Sequence, residues 1–452
     1  MEQHQHRAVV VGAGIGGLTA AVALHQRGWQ VTVLERATDL TPVGAGIALA
    51  PNAQRALDVI GLGDRVRALS AWQGDGGMRV PGGRWLARTD AKAAAARFGG
   101  PLVLLHRATL VEILTSALPG GVVRTGVAAT VTDPGDDHRP ARVTTSDTGT
   151  GARSELEAEL VLGADGIHSA TRRTLFPDHP GPRYSGSTSW RVVVPAPARP
   201  FAPHETWGAG RLWGSQPLKD GRVYAYAMAV APAGAHAPDD EKAELLRLFG
   251  DWHHPVPEIL AGVDPDRILR HDVHHLPDAL PAFHRGRVAL LGDAAHAMMP
   301  SLGQGGNQAV EDAVVLAHHA RTAPDFMPGR ALAAYTADRL PRTTAIVRKA
   351  ARTGALTMLS ARPAVALRSA AVSAASLFGP GLALRGFDGI CDWHPPVDPG
   401  TPAETGTETE AETEAGTEAE TEAETSAGTE AGTGPEARTE AGTGTDAATR
   451  PK

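Results

Sequence analysis

The chain has 452 residues, with 43 Lys and Arg against 50 Asp and Glu and a formal net charge of -7. Residues 401–452 alone hold 12 Glu and 1 Asp against 2 Arg and 1 Lys, which leaves 40 basic and 37 acidic side chains in the first 400; that balance excludes the clustered basic excess expected of a nucleic-acid or anionic-membrane surface. Cys391 is the only cysteine, so an intrachain disulfide and a cysteine-based zinc site are excluded, and the length suits about two or three domains.

The opening MEQHQHRAVVVGAG has no basic region followed by a long apolar stretch and a cleavage site. Together with the lone cysteine this predicts a cytoplasmic protein. Ala8 to Val11 is a continuous apolar run, as in a parallel strand buried on both faces. Ile15 to Arg27 follows with helical spacing, Leu18, Val22 and Gln26 along one side and Gly28 placed to end it, and Gln30 to Leu34 forms a second strand. Between them lies Gly12-Ala13-Gly14-Ile15-Gly16-Gly17, which fits GxGxxG. Such glycines permit a tight turn, close backbone approach to a pyrophosphate and close helix packing, with the helix amides facing the anion. Glu35, at the end of the second strand, is placed to accept hydrogen bonds from a ribose diol.

A second motif, Gly163-Ala164-Asp165-Gly166, follows the apolar run Leu160 to Leu162. From Tyr184 to Val230 the chain changes to alternating segments bounded by Pro and Gly, in which Tyr224, Tyr226 and Met228 share one face and Val223, Ala225 and Ala227 the other. His271, His274 and His275 invite a metal reading, but His274 would point away from the other two and no carboxylate motif accompanies them, so no metal site is expected. Arg287 to Leu291 is again an apolar strand. It leads into Gly292-Asp293-Ala294-Ala295-His296, then Pro300, Gly303-Gln304-Gly305-Gly306-Asn307 and a helix from Asn307 to Ala320. The glycine-rich turn offers amides and a positive dipole end where a ligand develops negative charge. His296 is read as a polar residue that stabilises the turn, in preference to an acid or base. The apolar stretch from Gly354 to Phe387 is broken by Arg362, Pro363, Arg368, Pro380 and Arg385, which excludes a membrane span there and predicts packed helices. Beyond it, Thr-Glu-Ala-Gly units without aromatic residues predict disorder.

The pattern is α/β + β. A Rossmann-like nucleotide-binding domain (residues 1–70, 100–182 and 277–355) is interrupted by an antiparallel-sheet substrate domain (71–99 and 183–276), followed by a C-terminal helical segment (356–397) and a disordered acidic tail (398–452).

In this order, with a sheet between them, the three motifs resemble those of the single-component FAD-dependent aromatic hydroxylases, the group A flavoprotein monooxygenases that include para-hydroxybenzoate, salicylate and urate hydroxylases. The resemblance spans roughly residues 7 to 397. It implies noncovalent FAD, with Gly12, Gly14, Ile15 and Gly17 at the ADP moiety, Glu35 at the adenosine ribose and Arg36 beside it. Arg107, in His106-Arg107-Ala108-Thr109-Leu110, would contact the FAD backbone. Asp165 would support the flavin and nicotinamide region, Asp293 a ribityl hydroxyl, and Pro300, Gly303, Gly305, Gly306 and Asn307 the flavin itself. The resemblance also implies NADH or NADPH as a transient cosubstrate, O2, and a small aromatic, heteroaromatic or alkene-containing substrate, hydroxylated or epoxidised through a flavin C4a-hydroperoxide with no side chain assigned as acid or base. Arg191, Tyr224 and Tyr226 are the substrate candidates. No second GxGxxG follows a strand, no WxWxIP is present, and the third motif reads GDAAH, followed by Ala297 where the family often has Pro and then by Met298 and Met299. A flavin oxidase that releases hydrogen peroxide and a flavin-binding protein without turnover are the alternative classes.

Overall fold

The computed structural model describes residues 6–40, 45–70, 75–321, 326–379 and 384–397. The acidic tail expected to be disordered lies outside the described residues. A six-stranded sheet forms in the order His284–Arg285, Val288–Leu290, Leu160–Gly163, Arg7–Val11, Gln30–Leu34 and Val123–Arg124, all parallel except the first pair. Its central strands are the continuous apolar runs, and from Ala8 to Val11 and Leu160 to Leu162 every side chain is buried. Four separated stretches of sequence thus build one sheet.

The first helix, Ile15–Gln26, corrects the expected one-sided pattern, because every residue from Ile15 to Leu24 is buried. It packs against the sheet on one side and against helices Arg107–Ser116 and Gly305–His319 on others, so apolar or small residues are needed all round. Gly28, at a φ of 85°, follows it in the left-handed region that ends helices.

A seven-stranded sheet runs Leu269–His275, Arg183–Pro195, Arg222–Val230, Arg211–Pro217, His204–Trp207, Gly76–Arg79 and Trp85–Thr89. Alternation divides its side chains as the sequence predicts. Trp190, Val192, Val194, Trp213, Val223, Ala225 and Ala227 pack beneath helices Glu241–Phe249 and Val256–Ala261. The opposite face carries Trp207, Leu212, Met228 and Tyr226, which meet Ala50, Met298 and Met299. The loop after the third motif thus shares one buried apolar cluster with this face of the sheet. Two smaller antiparallel sheets, one of strands Val127–Asp133, Ala141–Asp147 and Arg153–Ala158 and one pairing Gly46–Leu49 with Val103–His106, were not legible as such in the sequence.

Candidate active site

The three glycines of the first motif differ in what a side chain would meet. Gly12 has a φ of +104°, and a β-carbon there would lie 2.5 Å from the Ala164 carbonyl oxygen. At Gly17 it would lie 2.1 Å from the Gly12 carbonyl oxygen, so this glycine lets the helix close onto the turn. At Gly14 it would meet no atom within 4 Å. Two glycines therefore serve the fold, and the third shapes a cradle at an uncapped helix start, the arrangement a pyrophosphate requires. Ile15 opens that helix, with its side chain in the core.

Glu35 does more than wait for a ligand. Its Oε2 accepts from the Ala13 amide and its Oε1 from the Ala37 amide, both at 2.9 Å, so it holds the glycine turn against the end of the second strand. Each oxygen keeps acceptor capacity for a ribose hydroxyl. Arg36 is exposed beside it.

Asp293 is an exposed residue between buried Gly292 and Ala294, and its carboxylate accepts no hydrogen bond among the described residues. A β-carbon at Gly305 would lie 3.9 Å from its Oδ1, which places the acid beside the start of helix Gly305–His319. No side chain caps that helix. Gly303 sits at a φ of 61°, after the short turn Pro300–Leu302, where its amide donates to the Pro300 carbonyl at 2.9 Å and a β-carbon would meet no atom within 4 Å. Asn307 plays a different part from a ligand contact. Its Oδ1 accepts from the Ala50 amide at 2.8 Å and its Nδ2 donates to the carbonyls of Ala48 and Gly303, so its side chain staples the loop to the strand Gly46–Leu49.

Behind this loop is a buried charge network that the sequence reading missed. Asp312 accepts from the Gly292 amide at 2.8 Å, from His296 Nε2 at 2.5 Å and from Arg339 Nε at 2.7 Å. Glu311 accepts from Arg339, from Arg342 at 2.8 and 2.9 Å, and from Asn52 at 2.6 Å. Burial opposes ionisation of Asp312, but the charges of His296 and Arg339 overcome it and hold the carboxyl at about 2. His296 thus faces inward and stabilises the turn. The available signal was the pair Glu311-Asp312 on a helix whose neighbours are apolar, which demands buried cations elsewhere in the chain.

Asp165 is also occupied. Its Oδ1 accepts from the Ser169 hydroxyl at 2.5 Å and its Oδ2 from the Thr171 amide and hydroxyl at 2.9 and 3.0 Å, which shapes the turn after strand Leu160–Gly163. Buried Arg172 then donates to the carbonyls of Ile167 and Ala294, joining the second motif to the third.

The sheet brings the substrate candidates to the same place. Arg191 pairs with Tyr226 across neighbouring strands, and Tyr226 with Gly214, which pairs with Glu205. Directly opposed residues project to one face. Tyr224 packs on the backbone of Gly46, where a β-carbon would lie 2.4 Å from its ring, and its centroid is 5.5 Å from that of Tyr226. Arg107 lies among these groups: burial lowers its pKa, Asp293 opposes that shift, and Arg191 reinforces it. Neither Arg107 nor Arg191 has a side-chain hydrogen bond or ion pair to a carboxylate among the described residues. Burial raises the pKa of both tyrosines, so both phenols stay protonated at neutral pH. His271, His274 and His275 lie on the far edge strand Leu269–His275, where His274 Nδ1 donates to the Asp272 carbonyl and its ring packs on Tyr184.

A cradle at Gly14, an unengaged Asp293, an uncapped helix start and an unpaired Arg107 suit a long, hydroxylated, anionic dinucleotide. Comparison with known proteins agrees. Residues 5–350 match the family model described as FAD binding domain. The chain is 37% identical over 350 residues to the aurachin C monooxygenase/isomerase of Stigmatella aurantiaca, covering 76% of this chain and 88% of that protein. It is 37% identical over 363 residues to the 3-amino-4-hydroxybenzoate 2-monooxygenase of Streptomyces cremeus, covering 76% and 86%. The crystal structure of Klebsiella pneumoniae HpxO complexed with FAD and uric acid superposes with a TM-score of 0.75 at 30% identity, over 86% of this chain and 97% of that one. The chain belongs to the FAD binding domain family, within the group A flavoprotein monooxygenases, and is an FAD-dependent oxidoreductase.

Proposed function

We propose that the protein uses NADH or NADPH and O2 to insert one oxygen atom into a small planar aromatic or heteroaromatic substrate, held between the flavin and the face bearing Arg191, Tyr224 and Tyr226. The observation that carries this reading is the contact between the cofactor motifs and the sheet: Tyr224 packs on Gly46 in the strand that Asn307 ties to the glycine-rich loop, and Arg107, which follows the partner strand Val103–His106, feels the charges of both Asp293 and Arg191. Bound FAD supplies the redox chemistry and the activation of oxygen. The chain's own residues bind, orient and exclude water.

Gly14 and the helix start at Ile15 hold the pyrophosphate region on the turn that Gly12 and Gly17 shape, Glu35 with Arg36 holds the adenosine end, and Asp293 a ribityl hydroxyl. Arg107 offers an unpaired cation to the cofactor backbone. The uncapped start of helix Gly305–His319, with Pro300, Gly303 and Gly306 before or within it, presents a positive dipole end to negative charge on the flavin. Asp165 and Asn307 act by holding their loops in shape. On the substrate side the two phenol rings form a wall that aligns a planar ring, and Arg191 fixes its direction through an acidic or polar substituent. Met298 and Met299, both buried, close the cleft with apolar surface and keep water from the reacting atoms. A single dinucleotide motif is consistent with a nicotinamide cosubstrate that reacts and leaves.

The deciding experiment is a panel of aromatic acids and heteroaromatics screened for stimulated NAD(P)H consumption by FAD-loaded protein, with product mass measured for each hit. A product heavier by one oxygen atom supports the proposal. Peroxide as the sole product across the panel would instead identify an oxidase.

A further inference from the structure

The face proposed as the substrate wall contains a carboxyl group that forms no ion pair among the described residues. Glu205 stands on the short strand His204–Trp207, in the same cross-strand row and on the same face as Arg191 and Tyr226. Tyr226 lies across Gly214 and donates its hydroxyl hydrogen to Glu205 Oε1 at 2.7 Å. Trp207 Nε1, an obligate donor, occupies Oε2 at 2.8 Å. Glu205 is half-buried as a residue, and both of its carboxylate oxygens are engaged by neighbouring side chains. Burial raises its pKa and the two donated hydrogen bonds oppose that shift.

The direction of these bonds sets the polarity of the wall. Tyr226 spends its one hydrogen on Glu205, and the Gln216 amide also approaches the phenol. What remains toward the cleft is acceptor capacity on Tyr226 and Glu205. Arg191 lies two strands from Gly214, roughly 10 Å along the row, and is purely a donor. The two ends of the wall therefore have opposite hydrogen-bonding character.

We infer that Glu205 is a specificity-determining residue: with Tyr226 it forms an acceptor-only end of the cleft that receives a hydroxyl, amino or ring N–H group of an aromatic substrate whose acidic substituent faces Arg191. The inference rests on the proposed use of this face as the substrate wall. A ligand presenting only an acceptor at the Glu205 end leaves buried lone pairs opposed and is rejected.

The test uses FAD-loaded protein and two matched pairs of probes, 4-hydroxybenzoate with 4-methoxybenzoate and 6-hydroxy-2-naphthoate with 6-methoxy-2-naphthoate, titrated by their perturbation of flavin absorption. In at least one pair the wild type should bind the hydroxy member at least about tenfold more tightly. In Glu205→Gln the amide oxygen is claimed by Trp207, the amide nitrogen donates to Tyr226, and the phenol hydrogen turns toward the cleft, so the ratio should fall to about one or invert. Tyr226→Phe, a second variant, takes the phenol donor from Glu205 Oε1 and leaves that oxygen open as an acceptor, so the preference for the hydroxy member should persist or rise with flavin content unchanged. Equal affinities in the wild type, a ratio preserved in Glu205→Gln, or a ratio that collapses in Tyr226→Phe overturns the role of Glu205. Arg191→Ala is scored separately: it should weaken both members of a pair without changing their ratio. If it leaves both affinities unchanged, the reading of Arg191 fails independently, and if no probe perturbs the wild-type flavin, both readings fall.

Discussion

Tyr226 occupies the place of a side chain that Gly214 does not have: a β-carbon at Gly214 would sit 2.1 Å from the phenol Cζ. The missing methyl lets the ring lie along the sheet and reach Glu205. Gly214→Ala should displace the ring, cost about 1–3 kcal/mol of stability, and raise substrate KM at least about tenfold. Urea unfolding and steady-state kinetics on the same preparation check both numbers. A fully active variant would show that the ring's position is immaterial.

The glycine turn separates folding from cofactor binding. Gly14→Val has an allowed backbone, with φ -70° and ψ 176°, and meets no chain atom near its β-carbon. The apoprotein should melt within a few degrees of wild type while its FAD Kd rises at least about tenfold, because the pyrophosphate can no longer approach the backbone. Gly17→Ala should lose several kcal/mol of stability, since its β-carbon meets backbone that has nowhere to move. Thermal melts and FAD titration of both variants distinguish the two roles, and indistinguishable behaviour would contradict this division.

For Arg191, the expected outcome of replacement by Ala is a substrate KM raised about tenfold, normal flavin content, and more NAD(P)H oxidation ending in peroxide without product. Oxygen uptake, peroxide and product assayed together provide the check. Unchanged KM and unchanged coupling in both Arg191→Ala and Tyr226→Ala would move the substrate to the Met298 and Met299 loop.

Asp312 supplies a pH dependence with a definite sign. Its carboxyl is held at about 2 in the folded chain against an ordinary value of 3.8, so its stabilising contribution is complete above about pH 4 and is lost as pH falls from there toward 2. Asp312→Asn should flatten that part of the stability profile. At pH 7 it should also cost about 3–5 kcal/mol, because Arg339 keeps its charge at a buried position with one partner fewer. Denaturant titrations of both proteins across pH 2 to 7 read both effects.

Removal of residues 401–452 should leave FAD content and turnover unchanged, because the family match ends at residue 350 and every site residue precedes the tail. Solubility is expected to fall with the loss of its acidic excess. A large loss of turnover at full FAD occupancy would place the tail in the reaction.

The parallel strands, the glycine turn and the two faces of the large sheet were legible because each is written in local periodicity or spacing. Glu35, Asp165 and Asn307 were legible as positions but not as hydrogen-bonding partners, since the donors they engage follow from turn geometry. Glu205 was harder. A four-residue strand gives no periodic signal of its own, and only its register against Gly214 and Met78 shows which face it joins. The ties from Glu311 and Asp312 to Arg339 and Arg342 connect two helices distant in sequence, so no single window contains them.

That bridge between helices also bears on biosynthesis. On the ribosome, the strand–turn–helix unit carrying Gly12 to Gly17 emerges first, and Glu311 and Asp312 emerge much later but still ahead of the arginines that neutralise them. Until Arg339 and Arg342 leave the exit tunnel, burying the two acids under the third motif is opposed by uncompensated charge. A polypeptide stopped short of residue 339 would carry all three sequence motifs yet leave both acids without their arginine partners.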